Sequence, residues 1–192
     1  VPAYDTNPVT LTGSGSFCAD TAYGCWTADH MIVPNKYATA GSFNYQAALN
    51  DVAFVSVGVG GKSDTQLDNE VGSQAINFAL EGIETNSYLF GYPAAGRYKG
   101  KDLTYCNGLL YEDIRMDYGT YQVGCNMTGG SSGGPWFKNF NSSGPLVGTG
   151  VQFSVNSYGY NGSKNMYGPI FSTETEDMFN YATTMSANTI FP

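Results

Sequence analysis

Residues 125–137 read CNMTGGSSGGPWF, and this stretch sets the interpretation of the whole chain. Four glycines and two adjacent serines lie between a cysteine and a Pro-Trp-Phe run. Glycine permits unusual backbone angles and close approach of other groups, so a serine here can project beside unpaired backbone N–H groups. That arrangement is typical of an acyl-transfer nucleophile with an oxyanion hole. A glycine-rich turn without chemistry is the alternative, because short motifs give false positives.

The composition argues against two broad classes of partner. The 192 residues carry a net charge of −8 and no basic stripe, which argues against binding to nucleic-acid phosphates. No apolar run approaches the roughly 20 residues that span a bilayer, so no membrane segment is expected. The chain begins at Val1 without a signal peptide, which predicts either a removed leader or a processed piece.

The four cysteines favour an oxidising compartment. An even number at wide spacing suits two disulfides, in which Cys18–Cys25 would close a short loop and Cys106–Cys125 a longer one. A metal site is the rival interpretation. With one histidine and no CxxC pair, however, we expect neither a metal nor another cofactor.

Three sequons fit a secreted glycoprotein. They begin at Asn126, Asn141 and Asn161. Because Asn126 lies close to the serine loop, Asn141 and Asn161 are the glycosylation candidates. Together with the cysteines, the sequons predict an extracellular protein.

The rest of the chain predicts an all-β fold with one helix. Short apolar or alternating runs broken by Gly, Asn, Ser and Pro are typical of strands in a sandwich or barrel. Residues 173–184 differ, because acidic residues come first and apolar residues follow, as in a helix whose dipole is complemented. A soft boundary falls in the polar residues 60–69. The predicted strands are 24–28, 52–59, 75–80, 87–92, 102–106, 145–153 and 166–171.

Five segments together resemble the secreted trypsin-like serine proteases of the chymotrypsin fold, in their bacterial and fungal branch. GGSSGGPWF resembles the nucleophile loop, and NDVAFVSV resembles the strand that begins at the triad aspartate. The other three are LFGYPAAGRYKGKDLTYC, SVNSYGY and MYGPIFSTETEDMFNYA, in the family's order along residues 22–184. The resemblance implies two Greek-key β-barrels of chymotrypsin type and a C-terminal α-helix. The first barrel would be incomplete in residues 1–65, with Asp51, and the second would span residues 66–192, with Ser132.

The resemblance also implies roles for individual residues. Ser132 would be the nucleophile and Asp51 the triad acid, and Cys106–Cys125 would brace the nucleophile loop. The other implied site residues are the oxyanion-hole amides of Gly130 and Ser132, Asn126 at the base of the specificity pocket, and Tyr158 and Gly159 near its wall.

Two departures from the family pattern affect function. Ser131 stands where the family usually has an aspartate that pairs with a freed N-terminus in many animal relatives, so that activation switch is not expected. The family's Thr-Ala-x-His-Cys-like segment with the catalytic histidine does not occur in the chain. The sole histidine, His30, precedes Asp51 by only 21 positions and lies in CWTADHMIVP, which resembles a later strand. We predict an ordinary strand or surface role for His30, with a catalytic His30 as the alternative.

The resemblance therefore predicts a secreted serine endopeptidase that acts on peptides or proteins and is completed by a bound N-terminal fragment carrying the histidine. A barrel without its first strands would expose unpaired edges and apolar interior, so another segment is expected to fill the gap. A catalytically inactive protease-like binding protein is the alternative, and a rearranged truncated domain or a carbohydrate-binding sandwich are further ones. Asn126 supplies no negative charge, which argues against a strict preference for Lys or Arg. The family's glutamate-specific members use a histidine in the pocket, and no histidine lies near residues 150–160, which argues against that specificity. A neutral pocket for apolar or mixed side chains is therefore predicted.

Overall fold

A computed structural model describes residues 18, 21–100, 102–117, 119–143 and 148–192 of the chain. Residues 1–17, 19 and 20, which the sequence assigns to the first barrel, lie outside the described residues, as does the start of the predicted strand 145–153.

The described residues are mostly β-structure with a few short helices. Within the described residues, the α-helices are α1 (Asn35–Ala38), α2 (Tyr45–Leu49), α3 (Leu67–Val71) and α4 (Thr173–Ala182), with a 3₁₀ turn at Ile114–Met116. The ten strands are β1 (Ala28–Pro34), β2 (Phe54–Val57), β3 (Ala75–Ile76), β4 (Asn86–Gly91), β5 (Thr104–Glu112), β6 (Thr120–Gly124), β7 (Pro135–Lys138), β8 (Val151–Val155), β9 (Asn165–Pro169) and β10 (Thr189–Phe191).

The larger sheet has seven strands in the order β3-β8-β7-β4-β5-β6-β9. Alternate residues of its strands point inward, because successive side chains of a strand face opposite sides of the sheet. Leu89, Leu110, Val123, Trp136 and Phe153 are buried in one core on that inner side. The indole of Trp136 meets the Phe153 ring edge-on at 6.2 Å, a favourable geometry for aromatic pairs.

The smaller sheet has three strands in the order β10-β1-β2. One face packs on α4, where the rings of Phe54 and Phe179 lie 5.3 Å apart. The opposite face carries Met31, Val55 and Ile190, which are all exposed. The C-terminal strand β10 joins this sheet by running parallel to β1, so the first and last strands of the described residues pair with each other.

The strand ladders leave both sheets open among the described residues. An isolated bridge nevertheless pairs Tyr158, which follows β8, with Tyr167 in β9. Strand β8 lies near one edge of the larger sheet and β9 forms the opposite edge. The prediction was an all-β fold with one helix: β-structure does predominate and the C-terminal helix is present, but the three short helices α1, α2 and α3 were not predicted. The predicted strand at 24–28 is displaced, since the observed strand begins at Ala28, and the predicted strands do not include β6, β7 or β10.

Both predicted disulfides are formed. Cys18 pairs with Cys25, and Cys106 in β5 pairs with Cys125 directly after β6. The second bridge therefore links β5 to the first residue after β6, where the serine loop begins.

Candidate active site

The loop between β6 and β7 presents Ser132 to solvent while its neighbours are held. Ser131 is buried, and its hydroxyl donates to the carbonyl of Thr128 at 2.9 Å. Ser132 is exposed, and its hydroxyl makes no hydrogen bond to any described residue. The buried Ser131 hydroxyl thus holds the loop, whereas the exposed Ser132 hydroxyl is available to react.

Two backbone amides beside the Ser132 hydroxyl are also available. The N–H groups of Gly130 and Ser132 donate to no acceptor within the described residues. Gly130 has φ +99°, and a Cβ there would lie 2.7 Å from the Cβ of Ala94, so glycine is required on both conformational and steric grounds. Free donors next to a free hydroxyl are the groups that an oxyanion hole needs.

Asp51 lies in the short connection between α2 and β2, where it is half-buried. Its Oδ2 accepts a hydrogen bond of 2.6 Å from the Ser157 hydroxyl. The negative charge of Asp51 also raises the pKa of Tyr37, with smaller contributions from burial and from hydrogen bonding to the same carboxylate. The aspartate is therefore oriented by the Ser157 hydroxyl, which lies 106 positions further along the chain.

The dipeptide Asn156–Ser157 connects the serine loop to Asp51. The main chain of Asn156 accepts from the N–H of Gly133 and donates to the carbonyl of Gly134, both at 2.8 Å. The next residue, Ser157, carries the hydroxyl that binds Asp51. Ser132 and Asp51, 81 positions apart in sequence, are thus brought to either side of one short segment.

The residues assigned to the specificity pocket do not all converge. Asn126 is exposed, and its Oδ1 accepts from the Tyr98 hydroxyl at 2.9 Å. The Tyr158 hydroxyl instead reaches Thr120, at 2.7 Å, and Thr120 begins the strand that ends just before Asn126. The side chains of Asn126 and Tyr158 therefore lie towards opposite ends of β6. Gly159 is exposed beside the Tyr158–Tyr167 bridge.

A buried carboxylate anchors the segment that follows Ser157. Asp113 is 1% exposed, and its Oδ2 accepts from the hydroxyls of Tyr158 at 3.0 Å and Tyr160 at 2.8 Å. Because the Tyr158 proton points to this carboxylate, the Thr120 hydroxyl is the donor in its bond to Tyr158. Burial and the interaction with Asp113 raise the pKa of Tyr158. Burial and the hydrogen bond to Asp113 raise the pKa of Tyr160 to about 12.

His30 belongs to the three-stranded sheet. It occupies β1 opposite Ser56, five residues beyond Asp51, and the Ser56 hydroxyl donates to its backbone carbonyl. No hydrogen bond between the His30 and Asp51 side chains occurs within the described part of the chain.

Sequence reasoning missed Asn156, Ser157, Tyr37 and Asp113. A usable signal was present for the first of these, since Asn156 interrupts the apolar-rich strand sequence VQFSV-N-S with an amide. The residues that Asn156 and Ser157 bind, and the two tyrosines that bind Asp113, are distant in sequence, and the pattern of a single segment does not reveal them.

Two solved structures at more than 30% identity establish the family. A protease from Arthrobacter nicotinovorans, Anisep, has a TM-score of 0.72 and 35% identity over 88% of this chain and 71% of its own. A thermostable serine protease from an extremophilic microorganism, AL20, has a TM-score of 0.70 and 32% identity over 86% of this chain and 74% of its own. The chain therefore belongs to the bacterial chymotrypsin-fold serine protease family.

A third solved structure, of a Glu endopeptidase, shares the fold with a TM-score of 0.63 at 18% identity, covering 89% of this chain and 70% of its own. No family model matches the sequence, and no curated protein matches it. No helix within the described residues is long and apolar enough to traverse a lipid bilayer.

Proposed function

We propose that this protein is a secreted serine endopeptidase that hydrolyses peptide bonds through an acyl-enzyme on Ser132. A separate N-terminal fragment supplies the catalytic histidine. The observation that carries the proposal is the free hydroxyl of Ser132 beside the free amides of Gly130 and Ser132, in a loop joined to Asp51 through residues 156 and 157.

The proposed chemistry assigns one task to each group. The supplied imidazole takes the Ser132 proton as the hydroxyl oxygen attacks a peptide carbonyl, and later returns it to the leaving amine. Asp51 orients the ring and stabilises its cationic form. The amides of Gly130 and Ser132 bind the developing oxyanion, and each such donor contributes roughly 10²–10³ in rate. Water then hydrolyses the acyl-enzyme.

The outward face of the three-stranded sheet supports the partner fragment. Met31 is 50% exposed, Val55 50% and Ile190 59%, and the ladder register places them on one face. Strand β2, which follows Asp51, is an edge strand of this sheet among the described strands. Apolar strands of a partner would cover that face and pair with that edge, because folded proteins avoid leaving either exposed. An added strand would run beside Asp51.

We further propose that the two sheets are the two β-barrel domains, divided near residues 65 and 66. All seven strands of the larger sheet lie within residues 75–169, which supports this boundary. The two disulfides support secretion, and exposed Asn161 and half-buried Asn141 are candidates for glycosylation. Neither Asn126 nor Gly159 carries charge, so the pocket is proposed to take apolar or mixed side chains.

A serine-directed fluorophosphonate probe tests the proposal. We expect labelling of Ser132 in protein from its native source, where intact-mass measurement should also find a histidine-bearing peptide. The 192-residue chain alone should remain unlabelled, because an unassisted serine hydroxyl is a weak nucleophile. Ser132→Ala should abolish labelling, whereas Ser73→Ala, at an exposed serine outside the loop, should not. Strong labelling of the isolated chain would show that no supplied histidine is needed.

The second candidate is a protease-like binding protein without activity. The placement of the sole histidine in β1, opposite Ser56, favours it. If native material containing a second, histidine-bearing peptide also fails to react with the probe, the endopeptidase proposal is wrong and this candidate replaces it.

A further inference from the structure

Asn156 brackets Ser132 with hydrogen bonds on both sides. Its side-chain Nδ2 donates to the carbonyl of Ser131, immediately before Ser132, at 3.0 Å. Its main-chain carbonyl accepts from the N–H of Gly133, immediately after Ser132, at 2.8 Å. The residue in between keeps its own N–H and hydroxyl free of described partners.

The amide of Asn156 has one possible orientation. The indole N–H of Trp136 donates to it at 2.7 Å, and an indole nitrogen can only donate, so the facing atom is Oδ1. The Nδ2 group then meets two carbonyl oxygens, those of Ser131 and of Phe90, which lies 2.8 Å away in β4. At 2% exposure, every polar atom of Asn156 has a partner.

Two glycines make room for this amide. A Cβ at Gly134 would lie 2.6 Å from Asn156 Nδ2, and one at Gly91 would lie 3.2 Å from it and 2.8 Å from the Ser131 Cβ. The side chain thus joins β4, β7 and the serine loop at a point where those segments approach too closely for other residues.

We propose that Asn156 is a positioning residue that fixes the conformation of the serine loop, so that the Ser132 hydroxyl and the oxyanion-hole amides are presented together. The role in catalysis rests on the proposed function, whereas the effect on the loop does not. Because Ser157 follows directly and binds Asp51, the same segment sets the nucleophile and the acid relative to each other.

Backbone hydrogen exchange in Asn156→Ala tests the role without requiring activity. Loss of the side-chain bonds should speed exchange of amides in residues 128–136 by about tenfold or more, since each lost hydrogen bond is worth roughly a factor of ten. The matched control is Ser154→Ala, which removes a buried hydroxyl in β8, two residues before Asn156, that donates to the carbonyl of Pro169 at 2.7 Å. The control should lower global stability while residues 128–136 exchange as in the unchanged protein.

Kinetics of the complete, histidine-containing enzyme supply the second measurement. Asn156→Ala should lower kcat by about 10²-fold with little change in KM, since small displacements of reacting groups have effects of that size. Should Asn156→Ala fail to fold, Asn156→Ser provides the test, because a single hydroxyl proton cannot replace both bonds that Nδ2 donates, and it should give the same two results. Unchanged exchange in residues 128–136 would overturn the proposal whether or not the protein proves to be a peptidase.

Discussion

At the residue scale, the serine loop depends on two glycines, which have no side chain. Gly134 is required for space, because a Cβ there would fall onto the carbonyl oxygen of Phe90. Gly133 is required for conformation, because it has φ +79° with nothing within 4 Å of a built Cβ. The two neighbouring glycines of the motif therefore meet different physical requirements.

This difference predicts unequal costs for two alanine substitutions. Gly134→Ala should destabilise the fold by about 3 kcal/mol, as expected for strong overpacking. Gly133→Ala should cost only about 1 kcal/mol, the strain of a left-handed alanine. Urea unfolding monitored by tryptophan fluorescence measures both. Equal losses for the two variants would contradict the steric explanation of Gly134.

Sequence reasoning identified the residues of the loop but not those that hold it. Ser132 and Gly130 were assigned through the resemblance of GGSSGGPWF to the family's nucleophile loop, since the cluster alone also fits a plain glycine-rich turn. Asn156 binds Ser131 across 25 positions, and Ser157 binds Asp51 across 106. Such contacts follow from how strands pair in space, which a local pattern does not contain.

At the element scale, the C-terminal helix is the element most fully specified by local sequence. Ser172 and Thr175 form a capping box, in which the Ser172 hydroxyl accepts from the Thr175 N–H and the Thr175 hydroxyl accepts from the Ser172 N–H. Glu174 and Glu176 lie in the first turn, where negative charge interacts favourably with the helix dipole. Met178, in the middle of the helix, is buried. The start at residue 173 was therefore predictable.

The capping box predicts an asymmetric response to loss of a hydroxyl at the two ends of α4. Ser172→Ala should lower the free energy of unfolding by about 1 kcal/mol, because a helix amide loses its acceptor. Thr184→Ala, which removes an exposed hydroxyl bound to the Tyr181 carbonyl beyond the last turn, should change it by less than about 0.5 kcal/mol. Urea titrations of both variants provide the test, and a larger loss at Thr184 would refute it.

Strands were predicted less accurately than the helix. In β5 the exposed face carries Tyr105, Leu109 and Tyr111, so apolar residues occur on both faces and the alternation is hidden. The pattern consequently ended this strand at residue 106, although it continues to Glu112. Strand β7 was hidden within the Pro-Trp-Phe end of the serine motif.

At the scale of the whole molecule, tyrosines couple stability to alkaline pH. Burial raises the pKa of Tyr121 to about 12, and burial with Asp113 does the same for Tyr160. Their unfolded values are near 10, so the folded state binds more protons than the unfolded state between pH 10 and 12. This contribution is fully present below pH 10 and is lost as pH rises through that window.

Tyr121→Phe tests this linkage. The unchanged protein should lose stability steeply from pH 10 to 12, with Tyr121 contributing on the order of 2 kcal/mol. The variant should be less stable at pH 8, because the Glu81 N–H loses its acceptor, but its decline above pH 10 should be shallower. Tyr111→Phe, at an exposed site, should leave the decline unchanged. Parallel declines for Tyr121→Phe and the unchanged protein would contradict the assignment.

The sequence by itself determined the mostly-β class, the C-terminal helix, both disulfides and the location of the serine loop, because each follows from local composition, capping or spacing. Only the tertiary structure decided three contacts: the hydrogen bond of Asn156 to Ser131, the hydrogen bond of Ser157 to Asp51, and the parallel pairing of β10 with β1. These features arise where segments far apart in sequence approach one another, and the free energy that selects them comes from burying shared surface and satisfying polar groups that no single segment satisfies alone.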